Sequence, residues 1–402
     1  MERNTILQQV ERNLNWFVRS GVVSPEDGYW GVAERIVITE GNEAVKTIQE
    51  RFPTQTPHGN WVMIEPRRAD CNFETALYFL AAGQVLENGV FSAIGENLVD
   101  YLYCRSGLLI RRKITVPAGW WNWSHANLDC GRAFWIDDNG KVGMLQRQIA
   151  KLAPHLAKRY QMEEWCICLA DAVCDFFERT IAKGIFSDPA KEISGDLSLP
   201  HWGGTATYAL SAAYGLRQKE RYRQNMRCFH AYFAEHLESF NGSELAYGVL
   251  SSAYAARGFE DKFCLELAGY AADRLIEKMD PVTGNIPAEH YEAPQGSGLV
   301  DLIYTVNWVL PALQCIVELD PSPRREEAYR KVLQLITSIQ DHSGDIVFDG
   351  CWRGMYDLKA GKWGGGDRFE GGANSIYSGW TNAPIGLSLA LAAEGRSLLS
   401  LF

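Results

Sequence analysis

The sequence predicts an all-α protein whose fold is an (α/α)6 toroid of six helical hairpins, with short extended segments in the loops at one end. Apolar residues recur at helical spacing in close to twelve stretches, and every second stretch is rich in small residues. Strands and helices do not alternate, which argues against a parallel sheet. The helical stretches lie near residues 6–18, 69–84, 89–104, 140–153, 155–183, 203–216, 218–239, 243–256, 259–279, 299–318, 323–341 and 384–400.

The first helix is indicated by an apolar stripe that runs from Ile6 through Leu14 to Val18. Two short runs further along the chain are expected to be extended, namely RIVIT at 35–39 and DIVFD at 345–349. They interrupt the helical pattern without alternating with it, so we place them in loops between helices.

Four of the helical stretches are dominated by alanine, serine and glycine. They are ETALYFLAAG at 74–83, TYALSAAYGL at 207–216, LAYGVLSSAY at 245–254 and IGLSLALAAE at 385–394. Small side chains let helices approach closely, whereas charged side chains face water, so we expect an inner ring of small-residue helices and an outer ring of amphipathic ones. The repeat is irregular and its connections are long and aromatic-rich, which favours a closed ring over an open stack of hairpins. The whole chain, residues 1–402, is expected to form one catalytic domain.

The composition limits the classes of function. The 402-residue chain has a net charge of −10 and no basic stripe, so neither nucleic acid nor a membrane is an expected partner. The N-terminal segment has no signal-peptide pattern, and no run of about 18 apolar residues occurs in the chain. Ten scattered cysteines without a C-x-x-C pair indicate reduced thiols and no metal site. We therefore expect a cytoplasmic protein.

Polar and aromatic residues that suit a binding site are concentrated just before the small-residue helices. If the six inner helices share one direction, these residues meet at one end of the barrel, where helix N-termini offer free N–H donors. The candidates are Arg67, Arg68, Asp70, Trp121, Trp123, His125, His201, Trp202, His290, Tyr291 and Trp380. One cavity is expected to be lined by Arg67, Asp70, Trp121, His201, His290, Trp352 and Trp380.

The stretch from Cys351 to Trp380 combines eight glycines with three tryptophans. Glycines allow the backbone to bend close to a ligand, and indole rings offer flat apolar faces to sugar rings. We therefore interpret this stretch as one wall of the cavity, with Trp352, Arg353 and Trp380 as the residues that contact the ligand.

Residues 134–145, FWIDDNGKVGML, resemble the W-I-D-D-x-x-M element of the six-hairpin glycosidase superfamily, and within it of the glucuronyl hydrolases. The likeness of architecture covers the whole chain, whereas the likeness of motif is confined to this element. It implies that Asp137 is the general acid/base, with Asp138 as the second candidate, and that Asp70 is the partner carboxylate. The R-G-N-G-W element of those hydrolases is replaced here by HWGGTATY at 201–208.

The activity that this resemblance implies is hydrolysis of a short uronic-acid-containing (glucuronyl) saccharide. One carboxyl group protonates the leaving oxygen, while the other activates water or attacks the sugar carbon. The carboxylate of a uronate would be bound by arginine, for which Arg67, Arg68 and Arg353 are the candidates. No cofactor is implied, the partner is the saccharide itself, and a homo-oligomer is left open.

Other functions stay open on the sequence alone. A sugar epimerase of the N-acylglucosamine 2-epimerase type would use His201 and His290 for proton transfer, and a uronate lyase would use Tyr291 with His290. A helical-repeat protein that binds carbohydrate without catalysis is the non-enzymatic alternative. The two histidines could also belong to the core, and Asp137 and Asp138 could form a plain turn.

Overall fold

A computed structural model describes residues 2–52, 54–125, 132–289, 296–365 and 369–402. This part of the chain forms fourteen α-helices and ten short strands. The helices are α1 (Arg3–Arg19), α2 (Val45–Arg51), α3 (Ala69–Val85), α4 (Gly89–Asp100), α5 (Ile136–Leu152), α6 (Pro154–Tyr160), α7 (Met162–Arg179), α8 (Pro200–Tyr214), α9 (Glu220–His236), α10 (Gly242–Phe259), α11 (Lys262–Glu277), α12 (Val306–Leu319), α13 (Pro323–Ser338) and α14 (Ala383–Ala393). The strands are β1 (Arg35–Ile38), β2 (Gln55–Pro57), β3 (Trp61–Ile64), β4 (Phe134–Trp135), β5 (Ile193–Ser194), β6 (Pro287–Ala288), β7 (Gly296–Asp301), β8 (Met355–Asp357), β9 (Lys362–Trp363) and β10 (Ser375–Tyr377).

Six helices form a closed inner ring in the order α3, α5, α8, α10, α12 and α14, and α14 packs against α3 to complete it. Each inner helix is backed by an outer helix, namely α4, α7, α9, α11, α13 and, behind α14, the N-terminal α1. The inner helices are buried on nearly all sides, whereas the outer helices bury only one face. The predicted (α/α)6 toroid is therefore confirmed.

Glycines in α5 explain how closely two inner helices approach each other. A Cβ atom at Gly140 would lie 2.1 Å from the carbonyl oxygen of Thr205 on α8, and one at Gly143 would lie 2.6 Å from the Cβ atom of Ala209. Because neither distance is sterically possible, only glycine lets α5 and α8 pack this closely. The packing brings the N-terminus of α5 beside that of α8.

The strands lie at the end of the barrel where the inner helices begin. One antiparallel sheet has the strand order β10-β1-β3-β2, and Arg35 of β1 faces Tyr377 of β10 across the ladder. A second antiparallel sheet has the order β6-β7-β8-β9. Every inner helix except α10 begins shortly after a strand. Extended segments are thus found in the loops at one end, as predicted, and the RIVIT segment forms β1 as expected.

Two of the predicted helices differ from the observed ones. The predicted helix at 155–183 is divided into α6 and α7, because Gln161 between them has a left-handed backbone with φ of 54°. The predicted helix at 299–318 begins as strand β7, and α12 starts only at Val306.

Two further predictions, both for segments with charged residues, differ from the structure. The DIVFD segment is a turn and not a strand, because the Asp345 side chain accepts a hydrogen bond from the backbone N–H of Val347 at 2.7 Å. Helix α5 begins at Ile136, ahead of its predicted start near residue 140, so Asp137 and Asp138 lie in the first helical turn. The alternative of a plain turn at these two aspartates is therefore wrong.

One cluster of buried apolar side chains extends from Ile6 in α1 to Leu401 near the C-terminus. It includes side chains of the inner and the outer helices all around the ring. None of the helices within the described ranges is long and apolar enough to cross a membrane. The organisation of residues 1–402 as a single domain stays a prediction.

Candidate active site

A cavity of about 280 Å³ opens at the end of the barrel where the inner helices begin. Each inner helix contributes a residue from its first turns or from the segment just before it. The described lining residues are Glu34, Arg51, Phe52, Arg68, Trp123, Trp135, Asp137, Asp138, His201, Trp202, Ser243, Tyr247, Ile303, Tyr304, Glu370, Tyr377 and Trp380. Of the candidate residues, the structure thus brings together Arg68, Trp123, Asp137, Asp138, His201, Trp202 and Trp380.

Arg68, the residue just before α3, binds three carboxyl groups with one guanidinium. Its Nε and Nη2 atoms donate to the two oxygens of Asp70 at 3.2 and 2.9 Å. Nη2 also donates to Asp138 at 3.0 Å, and Nη1 donates to Glu34 at 3.2 Å. Charge-assisted and two-pronged bonds of this kind fix both partners in one geometry. Arg68 therefore connects the start of α3 with the start of α5.

The carboxyl groups around Arg68 differ in their affinity for a proton. Burial, together with the neighbouring charge of Asp70, raises the pKa of Asp138 well above its usual value despite Arg68. Burial also raises the pKa of Asp137, although His201 and Lys141 oppose the shift. Burial opposes ionisation of Asp70 as well, but the charges of Arg68 and Lys141 hold its pKa below the usual value. Asp138 is consequently the group that keeps a proton and Asp70 the one that stays ionised.

His201, in the first turn of α8, is held by a carboxylate on the next inner helix. Its Nδ1 lies 2.5 Å from Oε1 of Glu244, and its backbone N–H donates to Oε2 of the same residue at 2.9 Å. Glu244 is fixed in turn by its place in the first turn of α10, where its N–H donates to the side chain of Asn241 at 2.9 Å. A carboxylate bound to Nδ1 fixes the tautomer of an imidazole, so that Nε2 on the opposite edge of the ring can transfer a proton or form a hydrogen bond. His201 is thus oriented as a proton-transfer group or a hydrogen-bonding group at the cavity wall.

Beneath these groups, Lys141 lies in the centre of the barrel, one helical turn after Asp137. Its Nζ atom is 3.3 Å from Oε1 of Glu74 and stands 3.5 and 4.1 Å from the ring centroids of Trp380 and Trp308. Burial raises the pKa of Glu74 from 4.5 to about 8, although Lys141 opposes the shift. Glu74 therefore carries a proton at neutral pH, and the positive field of Lys141 acts mainly on the ionised carboxyl groups above it.

This environment predicts a pH-dependent contribution of Glu74 to stability. Between its usual pKa of 4.5 and about 8, the folded protein binds one more proton at Glu74 than the unfolded chain does. Stability should therefore fall as the pH rises through this window, by about 1 kcal/mol per pH unit from this one group. Glu74→Gln removes the titration, and urea unfolding at pH 5 to 8.5 should show a correspondingly flatter decline than in the wild type. Parallel declines in both proteins would contradict the assignment.

Three candidates do not line the cavity, and the prediction that they do is wrong. Asp70 is completely buried below Arg68, where both of its oxygens are bound. Trp121 is 1% exposed and packs edge-on against Phe73 of the core. Trp352 is completely buried and donates from its indole N–H to a backbone carbonyl at 2.9 Å. Trp121 and Trp352 lie in loops, but burial of their indole rings in the apolar core is more favourable than exposure at the cavity.

The remaining candidates are placed elsewhere. Arg67 and His125 line a different cleft on the outside of the wall that carries Arg68, so the prediction that Arg67 lines the cavity is wrong as well. Arg353 donates to Asp341 at 2.8 Å and is not among the described lining residues of the cavity. His290 and Tyr291 lie outside the described residues, so their placement stays a prediction.

Several residues that line the cavity were not predicted from the sequence. Glu370 accepts hydrogen bonds from Arg35, Arg51 and the hydroxyl group of Tyr377, and so fastens the long C-terminal loop to β1 and to α2. Glu34 contacts Arg68 from the residue before β1. Glu34 could have been predicted from its position next to the predicted RIVIT strand. The sequence around Glu370 contains no feature that would predict its contacts with Arg35 and Arg51, which are more than 300 positions away.

One group of possible metal ligands lies at the base of this cluster. Ligand atoms of Asp70, Cys71 and Glu74 lie within 4.8 Å of one another. A cation there would have to displace Arg68 from Asp70 and compete with the charge of Lys141. Burial also raises the pKa of the Cys71 thiol well above its usual value, which disfavours the thiolate that a metal would need. These residues do not fit a metal site.

No protein-family model and no curated protein matches the chain. Solved structures do match it over nearly their whole length. A cellobiose 2-epimerase from Spirochaeta thermophila is 10% identical, with 98% of this chain and 96% of that chain covered and a TM-score of 0.62. An inactive variant of an α-1,6-mannanase of Salegentibacter sp. in complex with α-1,6-mannotriose is 11% identical, with 97% and 100% covered and a TM-score of 0.58.

An unsaturated glucuronyl hydrolase mutant from Streptococcus agalactiae is also 11% identical, with 97% and 91% covered and a TM-score of 0.53. These three proteins differ in reaction, and the identities are too low to choose among them. What they share with this chain is the closed ring of helical hairpins. The chain therefore has the fold of these structures, an (α/α)6 toroid of helical hairpins.

Proposed function

We propose that the chain is a glycoside hydrolase whose reacting groups are Asp137 and Asp138. The observation that carries this proposal is the position of two adjacent carboxyl groups at the cavity wall, each with a different environment. Hydrolysis of a glycosidic bond needs one carboxyl group that holds a proton and one that does not. The structural likeness to carbohydrate-processing enzymes supports a saccharide as the ligand.

The environments of the two aspartates assign their roles. Asp138 keeps a proton because it is buried beside ionised Asp70, so it is the group that can protonate the leaving oxygen. Burial raises the pKa of Asp137 as well, but the charges of His201 and Lys141 oppose this shift, so Asp137 gives up its proton more readily than Asp138. It is therefore the carboxylate that activates water or attacks the sugar carbon. From the sequence, Asp137 was the first choice for the proton-transferring role, with Asp70 as its partner. The more strongly raised pKa of Asp138 favours Asp138 as the proton donor, and the complete burial of Asp70 leaves that residue in a positioning role.

A neighbouring structure offers a parallel to this arrangement. The α-1,6-mannanase of Salegentibacter sp. is inactive in a variant in which two consecutive aspartates are replaced by asparagine. Asp137 and Asp138 are likewise consecutive and stand at the start of an inner helix. The parallel supports the pair as the reacting groups, although it leaves the sugar and the linkage unspecified.

The charges in the cavity support a neutral saccharide over the glucuronyl saccharide that the sequence suggested. Among the described lining residues, each arginine already has a carboxylate partner, since Arg68 binds three carboxyl groups and Arg51 binds Glu370 at 3.0 Å, and Nδ1 of His201 is hydrogen-bonded to Glu244. A uronate would bring a further negative charge into a wall that already carries an excess of carboxyl groups. An uncharged, hydroxyl-rich sugar ring brings no additional negative charge into the cavity.

The direct test compares the release of reducing ends from neutral oligohexosides and from saturated and unsaturated glucuronides. We expect neutral substrates to be cleaved with a kcat/KM at least about tenfold higher, because a like charge inside the cavity costs binding energy. A preference for glucuronides would overturn the neutral half of the proposal and restore the glucuronyl saccharide as the substrate. Absence of new reducing ends from every substrate would contradict the hydrolase.

A sugar epimerase is the second candidate, and the pairing of His201 with Glu244 favours it. An imidazole oriented through Nδ1 can use Nε2 to remove a proton next to a sugar carbonyl group. However, His201 is the sole histidine among the described residues that line the cavity, and the return of the proton needs a second acid. A change in isomer ratio without new reducing ends would favour this candidate.

A further inference from the structure

A second cleft, of about 480 Å³, lies on the outer side of the wall that carries Arg68. We call it the Trp30 cleft, and define it by Trp30, Arg67, Arg105, Ser106 and His125. The proposed reaction uses none of these residues, although Arg67 and His125 were candidates for substrate binding from the sequence.

The exposed aromatic rings at this cleft are unusual for this chain. Trp30 is 54% exposed, and it is the sole tryptophan among the exposed large apolar residues of the described chain. Tyr29 beside it is 44% exposed, and the two rings meet edge to face with centroids 4.9 Å apart. Adjacent exposed aromatic rings of this kind mark surfaces that bind a partner or a ligand more often than surfaces that face only water.

The loop that presents these rings is held in place by hydrogen bonds from Arg67 and Arg105 and by one within the loop itself. Nε of Arg105 donates to the carbonyl oxygen of Tyr29 at 2.8 Å, and Nε of Arg67 donates to that of Trp30 at 3.3 Å. The side chain of Asp27 accepts from the backbone N–H of Tyr29 at 3.0 Å, and the guanidinium of Arg105 stacks on the Tyr29 ring at 4.0 Å. A platform fixed before binding loses little conformational entropy when a ligand arrives.

The polar groups of the cleft favour a neutral, hydroxyl-rich ligand over an anion. Arg67 forms an ion pair with Glu65, and Arg105 forms one with Asp100, so both positive charges are already balanced. Nδ1 of His125 accepts a hydrogen bond from the backbone N–H of Arg67 at 2.8 Å, which fixes the ring at the cleft. An indole face flanked by guanidinium and imidazole groups matches a hexose ring, which offers an apolar face and an edge of hydroxyl groups.

The cleft and the catalytic cavity share one thin wall. The backbone N–H of Ala69 donates to the carbonyl oxygen of Trp123 at 3.1 Å, and that of His125 donates to Arg67 at 3.3 Å. Within this two-stranded wall, Arg68 and Trp123 line the cavity, whereas Arg67 and His125 line the cleft. Adjacent residues of one short segment thus face the cavity and the cleft, so the two sites lie side by side.

We propose that the Trp30 cleft is a remote subsite that binds the far end of the same saccharide chain whose reacting bond lies in the cavity. The inference rests on the proposed function to the extent that the cavity takes a saccharide. It adds a substrate class, namely neutral oligosaccharides long enough to span both sites.

The test is calorimetric binding of neutral linear oligohexosides of one to six residues. It uses an Asp137→Asn background, so that binding is measured without turnover. We expect affinity to rise beyond a certain chain length, and Trp30→Ala to raise the Kd of the longest oligomers about tenfold while leaving mono- and disaccharides unchanged. Trp30→Phe, which keeps an aromatic face, should retain most of the affinity. Tyr270→Ala, at a 54% exposed aromatic ring on α11, is the matched control and should have no effect.

The outcomes separate this proposal from the hydrolase. An equal loss of affinity at every chain length, or no loss at any length, would overturn the remote subsite, as would a wild type that binds none of the oligomers. Length-dependent binding that Trp30→Ala abolishes, in a wild type that releases no reducing ends, would support the subsite and refute the hydrolase.

Discussion

Replacement of Asp138 by asparagine should reduce kcat by about 10² to 10⁴, because a positioned proton donor typically contributes that much to the rate. Asp137→Asn should cause a loss of the same order, since it removes the carboxylate that we propose activates water or attacks the sugar. Neither change should unfold the protein. Asp138 is held neutral by its surroundings, and an asparagine amide has the same shape and can still donate to Asp70.

The measurement is the initial rate of reducing-end release from a neutral oligosaccharide, with urea unfolding of each variant as the check on folding. Asp175→Asn is the matched control, because Asp175 forms an exposed ion pair with Arg221 on the outer surface. It should retain full activity. Full activity in Asp137→Asn or in Asp138→Asn would remove that residue from the reaction, whichever role it was given.

Arg68→Ala should strongly destabilise the folded protein. It leaves Asp70, Glu34 and Asp138 buried without their shared cation, and removal of one partner from a buried ion pair costs about 3 to 5 kcal/mol. The loss should be smaller at pH 4.5 than at pH 7. In the variant the pKa of Asp70 is no longer held down by Arg68, so the carboxyl group takes up a proton in acid and the uncompensated charge disappears.

The neighbouring arginine provides the control for this prediction. Arg67 forms an ion pair with a single carboxylate, that of Glu65, which keeps 22% of its side chain exposed. Arg67→Ala should therefore cost clearly less than Arg68→Ala, which leaves three more deeply buried carboxyl groups without their cation. Urea unfolding of both variants at pH 4.5 and pH 7 checks the two expectations together. Equal losses in the two variants, or an Arg68→Ala loss that does not depend on pH, would contradict the central role of Arg68.

The sequence was sufficient to predict the ring of hairpins because its signals are local and repeated. Helical periodicity indicates the helices, and small residues in stretches such as 207–216 and 245–254 indicate those that must pack closely on two sides. The end of the barrel that carries the site followed from where polar residues precede the small-residue helices. For the same reason the placement of Arg68 and His201 at one cavity could be expected, whereas Asp137 was indicated by the resemblance of residues 134–145 to a family motif.

What could not be predicted depends on contacts between distant parts of the chain. Trp121 and Trp352 follow the same loop pattern as Trp123 and Trp380, yet the first two are buried in the core and the second two line the cavity. Periodicity does not apply in loops, so the sequence contains no signal that separates the two cases. The preference of Arg68 for Asp70, which draws that carboxylate below the cavity, is also visible only once α3 and α5 are in place.

The central claim is that the cavity hydrolyses a glycosidic bond and does not isomerise a sugar. Proton NMR of a neutral oligohexoside incubated in D₂O with the wild type and with Asp137→Asn tests it most directly. New reducing-end anomeric signals that appear with the wild type and not with the variant, while the proton at C2 of the original reducing end is retained, are the predicted result. Loss of that C2 proton to deuterium, with an epimer signal and no new reducing ends, would contradict the hydrolase and assign the chemistry to His201.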